Sequence, residues 1–290
     1  MLGAAASAAG RDSRSLAFAT QPLAPGVDLV NAAGGNAVLV RSGDAVALID
    51  GCMAASAAEL LRRLRRQAPP ITLHVNTHWH PDRSGCNDLL GKSGVEIVAH
   101  EYTRQWMRRP ISVAWRNETW PARAAAALPT RTFLAEDQLQ VGALDLRLGY
   151  LPQAHTDGDI YVHLPQHNLL IAGDVVAVGQ YPVADVATGG WSRGMQLASK
   201  QLLALCDERT RIVPGTGPLV GKVQLQAQHD MLEVLTERIW QLMRKGMSDL
   251  DIVAARPTAE YDAQWGEPRQ FILNTYQGIW NHVREMRGIV

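Results

Sequence analysis

Asn76-Thr77-His78-Trp79-His80-Pro81-Asp82-Arg83-Ser84-Gly85 follows directly on the apolar run Ile71–Val75. A short apolar run that stops at an Asn reads as a buried strand, so the residues after it occupy a loop at a strand end. Two histidines at i and i+2 in a tight turn can aim both imidazoles at one point. Pro81 restricts the turn, and Asp82 adds a carboxylate within reach. Neutral imidazoles with an oxygen ligand suit zinc, or iron of the two-histidine, one-carboxylate kind.

Two later stretches extend the pattern. His155-Thr156-Asp157-Gly158-Asp159 lies between predicted strands at Leu144–Tyr150 and Ile160–Leu164 and offers a third imidazole. Ala172-Gly173-Asp174 closes the apolar strand Leu169–Ala172 and puts a carboxylate at another strand end. Alone, each is ordinary, since a loop histidine is usually solvated and a Gly-Asp usually a turn. In this order after the first motif they specify a metal centre.

The surrounding chain alternates short strands with helices. Ala37–Val40 and Ala45–Ile49 flank Ser42-Gly43-Asp44, a hairpin signal. Ala54–Gln67 is helical by period, with Leu60, Leu61 and Leu64 on one face and Pro69-Pro70 as the stop. Val95–Ala99 is a further strand, and Glu101–Met107 begins a helix. The second half repeats the order, with a helix over Gly194–Leu205 and a strand at Arg211–Val213. After Gly221 the period is helical: Leu232, Leu235, Ile239 and Leu242 share one face, as do Ile272, Tyr276, Ile279, Val283 and Met286. Strand groups with helices in both halves predict helix–sheet–sheet–helix layers. The C-terminal stripes are core or a subunit interface, so a homodimer is one expectation. No linker divides residues 26–290, which read as a single domain with a helical part over 221–290.

His78-x-His80-x-Asp82, then His155, then Asp174, resembles the metal signature of the metallo-β-lactamase-fold hydrolases, from about residue 27 to residue 220. The resemblance implies an α/β fold, the αββα sandwich with metal at one edge, here carrying extra C-terminal helices. It implies a first metal held by His78, His80 and His155, with Asp174 commonly bridging to a second. That second metal would also take Asp82, the residue at 83 and a last histidine. An Asp at 174, where true β-lactamases carry Cys or Ser, resembles the glyoxalase II, lactonase and persulfide-dioxygenase branches.

The chain departs from that pattern twice. Arg83 stands where the family usually has His, and Val213-Pro214-Gly215-Thr216-Gly217 replaces V-P-G-H-G. Both lost histidines belong to the second metal, and an arginine is permanently protonated and cannot ligate. The simplest expectation is one zinc on His78, His80 and His155 with Asp174 or water, and Arg83 in place of the second cation. Zinc would acidify a bound water and polarise a carbonyl. Asp82 would orient and deprotonate that water, and Arg83 would stabilise an oxyanion or a substrate carboxylate. Such a site hydrolyses an ester, thioester, lactone or amide in a small-molecule substrate. Three alternatives stand beside it: an iron-dependent dioxygenase, a non-catalytic binding protein on the same fold, and a decayed site in which Arg83 merely neutralises Asp82 and Asp174.

Other residues carry less. Gly179-Gln180-Tyr181-Pro182 through Thr188-Gly189-Gly190-Trp191 follows Asp174 closely enough to form a pocket wall, so Tyr181 and Trp191, with Thr216, join Arg83 as substrate-facing candidates. Specificity is expected in the loops Met107–Pro129 and Tyr181–Trp191. His74 on its strand and His100 at a helix start read as structural. Arg62, Arg63, Arg65 and Arg66 sit at a helix C-terminus, where cations complement the dipole.

Composition bounds the rest. Across 290 residues, 28 Lys plus Arg balance 28 Asp plus Glu. With no net positive field, nucleic acid is not an expected partner. No uncharged apolar run approaches the ~20 residues needed to cross a bilayer, so no integral membrane segment is expected. Three cysteines, Cys52, Cys86 and Cys206, form neither a disulfide framework nor a zinc ribbon. Residues 1–25 read as a flexible leader or the remnant of a signal peptide, with Ala6-Ser7-Ala8 as a cleavage site. The signal-peptide reading predicts a periplasmic or secreted protein; the leader reading fits the cytoplasm.

Overall fold

The computed structural model describes residues 18–32 and 34–286. A seven-stranded sheet is built from β1 (Ala19–Ala24), β2 (Val27–Ala32), β3 (Gly35–Ser42), β4 (Ala45–Ile49), β5 (Leu73–Val75), β6 (Glu96–His100) and β9 (Arg131–Phe133), in that spatial order. Between β6 and β9 the chain makes a separate hairpin of β7 (Ile111–Val113) and β8 (Glu118–Trp120). A five-stranded sheet follows, in the order β10 (Glu136–Val141), β11 (Leu144–Leu151), β12 (Asp159–Leu164), β13 (Leu169–Gly173) and β14 (Arg211–Pro214).

The two sheets pack face to face, and period-two alternation decides which side chains meet. On β3, Val38 and Val40 turn into the sandwich while Ala37 and Leu39 turn outward; on β4, Ala47 and Ile49 turn in while Val46 and Leu48 turn out. Ile160, Val162 and Ile171 answer them from the second sheet. Both faces are covered, which is why these strands read as unbroken apolar runs rather than alternating ones.

Helix α1 (Ala54–Leu64) lays Leu60, Leu61 and Leu64 on the outer face of the first sheet. Short helices α2 (Pro81–Ser84), α3 (Asn87–Lys92) and α4 (Glu101–Met107) continue that layer. On the far side, α5 (Ser192–Leu203), α6 (Lys222–Arg244), α7 (Asp249–Ala255), α8 (Asp262–Trp265) and α9 (Arg269–Met286) follow the second sheet. Met195, Leu202, Leu232, Leu235, Ile239, Ile272 and Ile279 share one buried cluster there with Leu170 and Ala172 of β13. Among the described side chains, the C-terminal stripes therefore pack into or against this core. The layering is αββα, and among the described residues no helix is long and apolar enough to cross a membrane.

Several local expectations shift. Ala19–Ala24, assigned to the leader, pairs with β2 as an edge strand whose first four residues are exposed, so little apolar signal marks it. The leader at residues 1–17, with its Ala6-Ser7-Ala8 motif, lies outside the described residues. Strand β10 passes unnoticed in sequence for a similar reason: at an edge, only Leu139 and Val141 of Glu136–Val141 are buried. The first helix ends at Leu64 rather than Gln67, three residues earlier.

Strand direction places the chemistry. β4, β5 and β6 are parallel, as are β13 and β14, so the loops after β4, β5, β13 and β14 gather at one edge of the sandwich. Hydrogen bonds tie the sheets together there: Ile160 N donates to Thr77 O at 2.9 Å, and Asn36 N donates to Gly215 O at 2.8 Å. The Asn36 side chain donates to Pro214 O and Gly217 O, both at 2.9 Å.

Candidate metal centre

The loop after β5 carries His78 and His80, with Pro81 fixing the first turn of α2. The β11–β12 loop carries His155, and Asp174 follows β13 directly. One ligand atom from each of these four residues falls within 4.8 Å of the others. His80 Nδ1 is 3.1 Å from His78 Nε2 and 2.9 Å from His155 Nε2. Asp174 Oδ2 is 3.5 Å from His78 Nε2 and 3.7 Å from His155 Nε2. Zinc–nitrogen bonds of about 2.0–2.1 Å would set tetrahedral ligand atoms roughly 3.3–3.4 Å apart, so around an ion these imidazole nitrogens would spread slightly and Asp174 would draw in.

The outward nitrogens leave the inward ones placed to take a cation. His155 Nδ1 lies 2.6 Å from Val183 O, which can only accept, so Nδ1 carries the proton and Nε2 keeps its lone pair. His80 Nε2 faces the Asp185 carboxylate at 3.1 Å and carries the proton likewise. His78 Nδ1 meets Thr77 Oγ1 at 3.1 Å, and that hydroxyl spends its own hydrogen on Asp50 Oδ2 at 2.8 Å. With the outward nitrogens carrying the protons, lone pairs face one another at the centre of the cluster. Burial, the largest influence, holds the His78 ring well below the usual imidazole range and lowers the His155 ring as well. Ligating histidines anchored through their second nitrogen form the arrangement that orients a metal site.

Asp174 divides its oxygens. Oδ2 faces the imidazoles, and Oδ1 accepts from Arg83 Nη2 at 2.8 Å. The same Nη2 lies 3.2 Å from Asp82 Oδ2. Burial alone would raise the Asp174 carboxyl, but the Arg83 guanidinium and the neighbouring imidazoles together outweigh it and hold the group below the usual carboxylate range. Close approach needs glycine on both sides: a Cβ at Gly35 would overlap Arg83 Nη1, and one at Gly215 would overlap Asp174 Oδ1. Nε and Nη1 of Arg83 are buried and find no partner among the described residues.

Asp50 completes the buried shell. Its backbone is left-handed at φ 56°, and it accepts from Thr77 N at 2.8 Å as well as from the hydroxyl. Burial pushes its carboxyl up to about 7, against the pull of Arg83. Asp185 is held low despite its burial, because it accepts from His80 and from Thr188 Oγ1.

A cavity of about 280 Å³ opens beside His80, Asp82 and Asp174, walled by Met53, Val113, Trp115 and Trp120. A second, of about 160 Å³, is bordered by Asp82, Arg83, His155, Asp174 and Thr216, so Thr216 does join the site. Tyr181 and Trp191 do not. Tyr181 is buried against Phe271 and donates to Asp262 Oδ1 at 2.9 Å, while Trp191 stacks on His282 with ring centroids 3.8 Å apart. The loop after Asp174 carries both away toward the C-terminal helices, whose apolar faces claim the aromatic rings. Arg83 exposes no surface and is already paired, so it cannot serve as the binder of a substrate carboxylate. His74 and His100 are structural: His74 bonds Leu48 O and Asn87, and His100 caps α4.

Asp50, Asp185, Trp115, Arg116 and Trp120 were not picked out in the sequence. The last three lie in Met107–Pro129 and Asp185 in Tyr181–Trp191, the two segments expected to hold specificity. No spacing rule marks the individual residues.

The family model of the metallo-beta-lactamase superfamily matches residues 30–215. The chain belongs to that superfamily. The metallo-beta-lactamase from Pontibacter korlensis superimposes with a TM-score of 0.63 at 21% identity, over 74% of this chain and 98% of that one. TMB-1 and the DIM-1 metallo-beta-lactamase each superimpose at 0.60, with 17% and 18% identity, over 74% of this chain and 96% of theirs. At these identities the likeness is one of fold. The superfamily contains mostly metal-dependent hydrolases, and in this member the His/Asp cluster could hold the metal.

Proposed function

We propose that this metallo-beta-lactamase-fold protein is a mononuclear zinc hydrolase acting on an ester, thioester, lactone or amide of a small molecule. The observation that carries the reading is the convergence of three imidazoles whose outward nitrogens are all engaged, beside a guanidinium wedged between the two remaining carboxylates. Bound at His78, His80 and His155, zinc supplies Lewis-acid polarisation of a carbonyl and a water acidified toward pH ~7.

The chain's own residues do the rest. Asp82 keeps part of its side chain exposed toward the cavity while Arg83 steadies its Oδ2, so it can receive and pass on a proton. Asp174 completes the ligand set or orients the water through Oδ2. Arg83 supplies a fixed positive charge in the space that a second metal bridging Asp82 and Asp174 would need. Asp185, Val183 O and Thr77 hold the imidazoles in the ligating tautomer. The proportions of the site, a cavity of about 280 Å³, suit a compact substrate.

The test is turnover of a panel of aryl esters, thioesters, lactones and β-lactams by zinc-loaded protein and by the same protein stripped with chelator. Zinc-dependent hydrolysis of at least one class is expected. Full zinc occupancy with no turnover of any class would favour a binding role, and iron in protein purified from its own host would favour the dioxygenase.

A further inference from the structure

We infer that Arg116, at the tip of the β7–β8 hairpin, is the anion-recognising residue of this cavity, and that it takes the carboxylate of a substrate whose aryl group lies on Trp115 and Trp120. The inference rests on the cavity being the substrate site of the proposed hydrolase. Arg116 borders both cavities, the one of about 280 Å³ beside His80 and the one of about 160 Å³ beside His155, so it stands at the edge that carries the His/Asp cluster. The nearest carboxylates of the narrower cavity, Asp82 and Asp174, already pair with Arg83. Among the described residues no hydrogen bond or ion pair engages the Arg116 guanidinium, whose carbon lies 4.7 Å over the Trp115 ring. An arginine lying on an indole keeps its N–H edge free, and that edge matches a carboxylate in two parallel hydrogen bonds.

The hairpin holds Arg116 in a fixed relation to the histidines. Ile111 and Val113 at its base are buried in one cluster with Trp79, the residue between His78 and His80, and with Met107 of α4. Trp79 in turn donates from its indole nitrogen to Thr188 Oγ1 at 3.1 Å. Asn117, left-handed at φ 53°, closes the turn behind Arg116. The hairpin thus presents Val113, Trp115 and Trp120 to the cavity as apolar wall, with Glu118 among them and Arg116 at its tip. Four carboxylates, Asp82, Glu118, Asp174 and Asp185, border the larger cavity, so a substrate carboxylate is favoured there only where a cation faces it, as at Arg116.

The test is equilibrium binding to the full-length zinc-loaded protein, with phenylsuccinate and 3-phenylpropionate as probes. The two share the aryl group and one carboxylate for the metal, and differ in the second carboxylate. The parent is expected to bind phenylsuccinate about tenfold more tightly or better, a difference of about 1.4 kcal/mol. Arg116→Gln should shrink that ratio to about twofold or less, and Arg116→Lys should keep an intermediate preference, since a point charge replaces a fork. Trp120→Ala should weaken both probes alike. An unchanged ratio in Arg116→Gln, or no preference in the parent, would overturn the assignment of Arg116. Binding of both probes untouched by Trp120→Ala would overturn the aryl assignment. A preserved preference in a protein that turns over no ester would leave this inference standing while the hydrolase reading fell.

Discussion

Arg83 reaches across 91 positions of sequence to donate from Nη2 to Asp174 Oδ1, and so turns the other oxygen of that carboxylate toward His78 and His155. On the proposed reading, a single buried cation thereby fixes the fourth ligand position and fills the place of a second metal. Removing it by Arg83→Met would leave Asp82 and Asp174 uncompensated at a partly buried site. Stability of the metal-free protein should fall by about 3 kcal/mol or more, read from chemical denaturation. A change under about 0.5 kcal/mol would show that the pair is solvent-screened.

Restoring the missing imidazoles tests the same pair from the opposite direction. Arg83→His with Thr216→His puts two nitrogen ligands around the cavity shared with Asp82 and Asp174. The double variant should bind a second zinc, because it also removes a like charge that repels a divalent cation. Arg83→His alone should bind it weakly. An intact double variant with no extra metal would mean the two positions do not act on one site.

Asp82 and His155 should separate base from ligand. Asp82→Asn should retain zinc and lose roughly two to four orders of magnitude in turnover, the range for general-base removal. His155→Ala should release the metal. Equal metal loss in both variants would make Asp82 a ligand.

Asp185 offers a check on the outer hydrogen bonds. Asp185→Asn frees His80 from the carboxylate that fixes its tautomer, and zinc affinity should drop about 10- to 100-fold, measured by competition with a chromophoric chelator. Unchanged affinity would reduce Asp185 to a loop-capping role through Ala187 N.

His74 sets a pH dependence remote from the metal ligands' own titration. Burial depresses its imidazole to about 4 against 6.5. Between those values the unfolded chain binds a proton that the folded one refuses, so stability is full above pH 6.5 and falls as pH drops toward 4. The loss should approach about 3 kcal/mol. In the metal-free protein His74→Gln should flatten the slope of stability against pH in that window. An unaltered slope would assign it to other groups.

The clustering of His78, His80, His155 and Asp174 was the most legible part of this chain, because these residues follow or lie between strands and strands announce themselves by apolar runs. The layering was legible for the same reason. Edge strands β1 and β10 were not, since each buries only a few residues of six. Tyr181 and Trp191 misled because proximity in sequence to Asp174 says nothing about which way a loop turns. Arg116 and Asp185 act only through tertiary placement, and no local pattern distinguishes them from solvated charges.

Metal stoichiometry bears most directly on the central claim. Elemental analysis of the zinc-loaded protein after exhaustive dialysis should give one zinc per chain, held by the three imidazoles with Arg83 in the neighbouring place. Two tightly retained zinc ions per chain would contradict that account, since the Arg83 guanidinium and the second ion cannot occupy the same space between Asp82 and Asp174.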